Sequence, residues 1–289
     1  MRPTLSTALL ISSVAGALVA STASAELVYG VTDTQTLVTF DSATPGIINT
    51  GAAISGLQSN ELVRGIDFRP ATGELMAVGS FNNLYVINTA TGAASLVGAG
   101  GFSPAMNGSS FGFDFNPTID RIRLVSDANQ NLVLNPNDGT STAVTSLFYG
   151  PGDANEGMDP NVVGSAYTNS FAGATSTQLY GIDTGLDILV TQANSAGTLG
   201  TVGSLGVDLG DAVGFDISGT SGVAYASVID NALSRSTFWT IDLSTGAATG
   251  LGDIGGGALV TSIAVVPGPG GSALLGIMAS LLVRRRRGV

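Results

Sequence analysis

One short segment returns five times at intervals of about fifty residues, and no other feature limits the possible folds so strongly. It reads LVRGIDF at 62–68, SFGFDF at 110–115, VVGSAY at 162–167, AVGFDI at 212–217 and VTSIAV at 260–265. A second strand-like stretch follows the first four: ELMAV at 74–78, RIRLV at 121–125, QLYGI at 178–182 and VAYAS at 223–227. A third includes LYVIN at 84–88, LVLN at 132–135 and FWTID at 238–242, and a fourth such as ASLVG at 94–98 closes the unit. Self-similarity at this period marks a repeat architecture, and four strands per repeat fit the blades of a β-propeller.

The predicted fold is therefore all-β, a propeller of five four-stranded blades. Six blades is the alternative, if the long insert after Tyr167 holds further strands. The segments LVYGV at 27–31 and LVTFD at 37–41 lack a first-type strand before them, whereas 260–265 has no successors. Joining these two ends completes one blade and removes the open sheet edges that invite aggregation.

Within the first-type strands the side chains alternate. Phe111, Phe113 and Phe115 share one face, and Gly112 and Asp114 the other. Gly65, Gly112, Gly164 and Gly214 recur at one position, where a missing side chain lets neighbouring blades approach near the axis. Turn glycines are expected at Gly46, Gly92, Gly139, Gly197 and Gly246. Asn88, Asn135 and Asp242 precede three of these at equal spacing. They read as Asx residues that accept a backbone hydrogen bond two residues on, with Gly supplying positive φ.

The runs GIDFRPATGEL at 65–75, FGFDFNPTIDRIR at 111–123 and GDANEG at 152–157 resemble the domain-of-unknown-function 4394 family. The resemblance spans nearly all of the chain between its two ends. It implies an exported bacterial propeller-like domain and no particular activity.

Both ends read as targeting segments. Arg2 is a minimal basic region, 9–20 is largely apolar, and Ala23, Ser24 and Ala25 form an A-x-A site. Residues 1–25 are predicted to be a signal peptide with an apolar helix, cleaved after Ala25. At the other end, 267–289 begins with Pro267, Gly268 and Pro269, continues through an apolar run at 270–283, and reaches Arg284, Arg285, Arg286 and Arg287. As a helix the run is about 21 Å long, short against a bilayer core of about 30 Å. The arginines would stay cytoplasmic and leave the body outside. This order of parts resembles the PEP-CTERM class of bacterial sorting signals, with Gly268 where that class has Glu. The resemblance implies processing by an exosortase-type membrane enzyme. A plain tail anchor is the alternative.

The body left between, 26–266, is long enough for one domain with a sizeable core. It holds five arginines against all 21 acidic residues, a net charge of −16, and the chain has no Lys. That excludes nucleic acid as a partner, since phosphate binding needs a basic surface. A negative field favours cations, basic ligands or simple solubility. Absence of Cys excludes disulfides, and absence of His excludes Ser-His-Asp catalysis, His-based zinc sites and imidazole-ligated haem.

Two clusters are candidate sites. In the loop 151–160, Asp153, Asn155, Glu156 and Asp159 offer hard oxygens of the kind Ca²⁺ takes, without EF-hand spacing. A solvated turn is the alternative. Asp67, Asp114 and Asp216 repeat at one position of three innermost strands and converge on the axis as an acidic ring for a metal or a cationic group. The alternative is that each bonds the neighbouring blade's backbone or pairs with Arg64, Arg69, Arg121 or Arg123. Asn116 and Pro117 read as a strand exit, like Arg69 and Pro70. The glycines at 252–257 lack the strand–loop–helix context and the Lys of a phosphate loop.

The expectation is an exported, non-enzymatic module at the cell envelope or extracellular matrix. Its partners would be extracellular polysaccharide or an envelope protein, besides the processing enzyme. The competing expectations are a carboxylate-based hydrolase or lyase at the propeller axis, with or without Ca²⁺, and a calcium-stabilised structural module.

Overall fold

A computed structural model of the chain describes residues 25–267. The predicted signal helix, the apolar C-terminal helix and the sorting residues beyond Pro267 lie outside the described residues. Among the described residues, no helix is long and apolar enough to cross a membrane.

The first three strands, β1 (Leu27–Thr32), β2 (Thr36–Asp41) and β3 (Thr44–Ala53), form an antiparallel meander. The second blade holds β4 (Val63–Phe68), β5 (Leu75–Gly79), β6 (Asn83–Ile87) and β7 (Ala94–Leu96). The third holds β8 (Phe111–Asn116), β9 (Arg121–Ser126), β10 (Asn131–Leu134) and β11 (Ser141–Ala143). A two-residue strand, β12 (Phe148–Tyr149), runs parallel to the outer edge of the fourth blade. That blade comprises β13 (Val162–Tyr167), β14 (Leu179–Asp183), β15 (Ile188–Gln192) and β16 (Thr198–Ser204). The fifth comprises β17 (Val213–Ile217), β18 (Ala224–Asp230), β19 (Arg235–Ile241) and β20 (Ala248–Asp253). The last strand, β21 (Val260–Val265), pairs antiparallel with β1, so both ends of the body share the first blade.

The ring thus has five four-stranded blades, closed as the repeat pattern predicts. The insert after Tyr167 adds no strand; the extra one is β12, before the blade rather than within it. The innermost strands β4, β8, β13, β17 and β21 neighbour one another around the axis.

The core is divided among the seams. Five apolar clusters are each shared by two adjoining blades. Between the second and third blades, Met76, Val78 and Leu84 meet Phe113, Phe115 and Leu124. Phe40 and Phe238 join the fifth blade to the first, edge to face, with ring centres 5.0 Å apart. Fully burying each such side chain contributes about 1.5–3 kcal/mol.

Close approach at the axis fixes Gly112. A Cβ there would stand 2.6 Å from the Ser165 Cβ and 2.7 Å from the Ser165 nitrogen. Away from the axis, the third-to-fourth-strand turns carry the expected chemistry. Asn88 Oδ1 accepts the N–H groups of Ala90 (3.0 Å) and Thr91 (3.1 Å), and Gly92 follows at φ 74°. Asn135 and Asp242 repeat the arrangement. Gly46 differs from expectation. It lies inside β3, because the first blade's hairpin is shorter, and Asp41 Oδ1 accepts the Ala43 N–H at 2.8 Å to close it.

Candidate functional site

The axial aspartates come together as the repeat alignment predicts. Oxygens of Asp67, Asp114 and Asp216 all lie within 4.8 Å of one another, and each residue is 2% exposed. The fourth and first blades place Ala166 and Ala264 at this position, so the ring has three members rather than five.

Their bonds show what they do. An innermost strand has an unpaired edge toward the axis, and its N–H groups need acceptors. Asp67 Oδ2 accepts the N–H of Phe115 on the next blade at 2.7 Å. Asp114 Oδ1 accepts that of Tyr167 at 3.0 Å, and Asp216 Oδ2 that of Val265 at 2.5 Å. Asp67 and Asp216 use their remaining oxygens on the N–H groups of Phe68 (2.7 Å) and Ile217 (2.6 Å) in their own strands. Five of six carboxylate oxygens therefore face backbone donors. The sixth belongs to Asp114, whose other oxygen accepts the Tyr167 N–H.

Burial raises the proton affinity of all three. Asp67 and Asp114 titrate well above the ordinary carboxylate range, because of burial first and the neighbouring aspartate charges second. Burial pushes Asp216 up to about 7 against the opposing pull of its two backbone donors. The void among the axial glycines beside Ser165 and Ser262 is about 10 Å³, roughly the room one water needs. Ca²⁺ takes six to eight oxygen ligands, and five of these six oxygens already accept one backbone N–H each. Three carboxyls this close suit either a shared proton or a cation.

None of the four expected arginines pairs with the ring. Arg69 forms an ion pair with Asp120 and donates to Asn137 Oδ1 at 2.7 Å, tying the second blade to the third. Arg121 donates to the Asp120 carbonyl at 2.8 Å. Arg123 is buried and donates to Asn131 Oδ1 at 2.6 Å. Arg64 is exposed at the mouth described next.

The loop 151–160 does not gather its oxygens. Asp153 accepts the Thr201 N–H and hydroxyl, both at 2.7 Å, and Asn155 donates to Thr201 Oγ1 at 2.8 Å. Glu156 caps the Gly152 N–H at 2.7 Å. Asp159 instead faces Asn129 Nδ2 at 2.6 Å, on the third blade. Asp153 and Asn155 thus dock the loop onto β16.

Where the innermost strands begin, the axis opens into a pocket of about 210 Å³. Its wall is made by Val63 and Arg64 of β4, Ser110 and Phe111 around the start of β8, Asp211 and Val213 around the start of β17, and Thr261 of β21. The β1–β2 turn adds Asp33 and Gln35. A second depression of about 320 Å³ adjoins it over Arg64, Ser109 and Phe111 and continues to Met106.

A family model described as "Domain of unknown function (DUF4394)" matches residues 36–264. The chain belongs to that family. No curated protein matches it. A chain of a solved nidogen/laminin complex is 9% identical, with a TM-score of 0.50, over 84% of this chain and 98% of its own length. At that identity the likeness concerns the fold alone.

Sequence reasoning missed the mouth of this DUF4394 domain, although its repeats carried a signal. The second-to-third-strand turn holds a left-handed residue in every blade: Gln35 (φ 57°), Asn82 (64°), Asn129 (58°), Asp187 (53°) and Ser234 (50°). Three of them reach the following blade or the segment leading into it. Asn82 Oδ1 accepts the Met106 N–H at 2.8 Å, Asn129 reaches Asp159, and Gln35 Oε1 accepts the Val63 N–H at 2.7 Å. Aligning the turns exposes Gln35 as a longer side chain in an Asx position, and it alone of the three lines the 210 Å³ pocket. Asp211 is fixed by Asn161 Nδ2 at 2.9 Å and Thr184 Oγ1 at 2.5 Å.

Proposed function

We propose that this DUF4394 chain is an exported binding module, held at the envelope or matrix, whose ligand site is the axial mouth. The observation that carries the proposal is the contrast along one axis. The carboxylates that converge are sealed and committed to the backbone, while the open pocket above them offers groups fixed from several blades. Pockets of this kind, with a few placed polar groups, are the usual seats of small ligands. Extracellular polysaccharide or an envelope protein is the proposed partner. An exosortase-type enzyme would act on the segment from Pro267 and Pro269 to Arg284, Arg285, Arg286 and Arg287.

Hydrolysis is the second reading, because Asp33 and Asp211 both line the mouth. One assay separates the two: the exported protein is mixed with a panel of matrix polysaccharides, and retention and new reducing ends are both measured. Retention without new ends, abolished by the mouth-filling Ala212→Trp, supports binding. Steady release of new ends supports the hydrolase. Retention unchanged in Ala212→Trp sinks the mouth as the site. The sorting proposal is tested separately by replacing all four terminal arginines with Ala and following processing and location.

A further inference from the structure

We propose that Arg64 reads a carboxylate, and that the ligand of the mouth is an otherwise neutral saccharide bearing a single uronate group. This rests on the axial mouth being the binding site and names the chemistry it selects.

The body has five arginines and no Lys, so each guanidinium can be followed. Arg69 and Arg235 are in ion pairs with Asp120 and Asp253, Arg121 bonds the Asp120 carbonyl, and Arg123 is buried against Asn131. Arg64 makes no hydrogen bond or ion pair among the described residues. It stands on an innermost strand at the edge shared by the two adjoining depressions. A guanidinium offers five donors in a planar fork, and that fork matches a carboxylate bidentately.

The groups around Arg64 narrow the class. Asp33 and Asp211 add negative charge to the same wall, which disfavours a dianionic phosphate and leaves acceptors for hydroxyl donors. Gln35 spends its carbonyl oxygen on Val63, so its amide NH₂ is the part left to donate. Phe111 is half-buried and lines both depressions, giving an apolar face of the kind a sugar ring covers. One carboxylate, several hydroxyls and one apolar face together describe a uronic acid residue. The net charge of −16 on the body repels a dense polyanion, so the carboxylate belongs to an isolated uronate and not to a polyuronate run.

The test is calorimetric titration of the exported protein with methyl glucuronide, methyl glucoside, glycine and a polyuronate. The account expects the glucuronide to bind at least about tenfold more tightly than the glucoside, consistent with a charge-assisted hydrogen bond. Arg64→Ala erases that difference and leaves glucoside binding in place; Arg64→Lys restores only part of it. Polyuronate is weak at low salt and improves as salt is added. Equal affinity for the two glycosides, or a preference surviving Arg64→Ala, overturns the carboxylate assignment while the mouth remains a binding site. Arg64-dependent binding of glycine equal to that of the glucuronide overturns the saccharide class. Loss of all binding in Ala212→Trp with none in Arg64→Ala upholds the mouth and removes Arg64. No saccharide binding in any variant removes both.

Discussion

Asp216 accepts the backbone N–H of Val265 at 2.5 Å, and the two residues belong to the last blade and to the strand that closes the ring. The bond is one of three that repeat around the axis, yet it alone secures the strand completing the first blade. Leaving a buried N–H unsatisfied costs about 1–3 kcal/mol. Asp216→Ala should therefore lower unfolding stability by about that amount, measured by denaturant titration. Proteolysis should then cut first near residues 254–266. Nicking elsewhere first would show that the closure does not depend on this bond.

Protons on the axial cluster make stability depend on pH. Asp216 binds its proton up to about pH 7 in the folded protein, against an ordinary value of 3.8, and Asp67 and Asp114 are raised for the same reason of burial. The folded state thus holds more protons than the unfolded one across this interval. The stabilisation is complete below about 3.8 and is lost as pH rises through about 7. Melting temperature should be higher at pH 5 than at pH 8, and Asp114→Asn should narrow the gap. A melting temperature that rises from pH 5 to pH 8 would contradict the shared proton.

Gly112 tests how tightly the innermost strands approach. A methyl group at this position meets the backbone of Ser165 and Gly164 below 3 Å, where no side-chain motion can relieve it. Gly112→Ala should cost about 1–3 kcal/mol, as overpacking usually does. Gly51→Ala on an outer strand meets nothing nearer than 3.7 Å and should be close to neutral. Similar melting curves for the two variants would refute a steric reason for the repeated glycine.

The loop at 151–160 gives a test of its own. Asp153 holds Thr201 through two bonds of 2.7 Å, so Asp153→Ala should cost about 1 kcal/mol without any metal present. Millimolar Ca²⁺ should leave the wild-type melting temperature unchanged. A rise with Ca²⁺ that disappears in the Asp153→Ala, Asp159→Ala double variant would restore the calcium site.

The blade count, the closure and the axial glycines were legible because each follows from a pattern repeated along the chain. Asp67, Asp114 and Asp216 were legible for the same reason, and so was the alternative that they bond the next blade. Their failure to pair with Arg69, Arg121 or Arg123 was not, because the partners those arginines take instead, Asp120, Asn137 and Asn131, are brought to them only by the fold. The mouth was harder still. Arg64 and Asp211 are distant in sequence from each other and from the turn that holds Asp33 and Gln35, and only the curvature of the ring brings them to one wall. The arrangement of the loop at 151–160 was not legible either, because a cluster in sequence need not be a cluster of oxygens in space. Asp159 turns to Asn129 while Asp153 turns to Thr201.

Amide hydrogen exchange tests the central claim most directly. The protein is compared with and without an excess of uronate-bearing oligosaccharides, whose masses are recorded before and after. Binding at the axial mouth predicts slowed exchange at 62–64, 109–111 and 211–213, with the oligosaccharide masses unchanged. Protection confined to the outer strands, or the appearance of cleaved products, would contradict it.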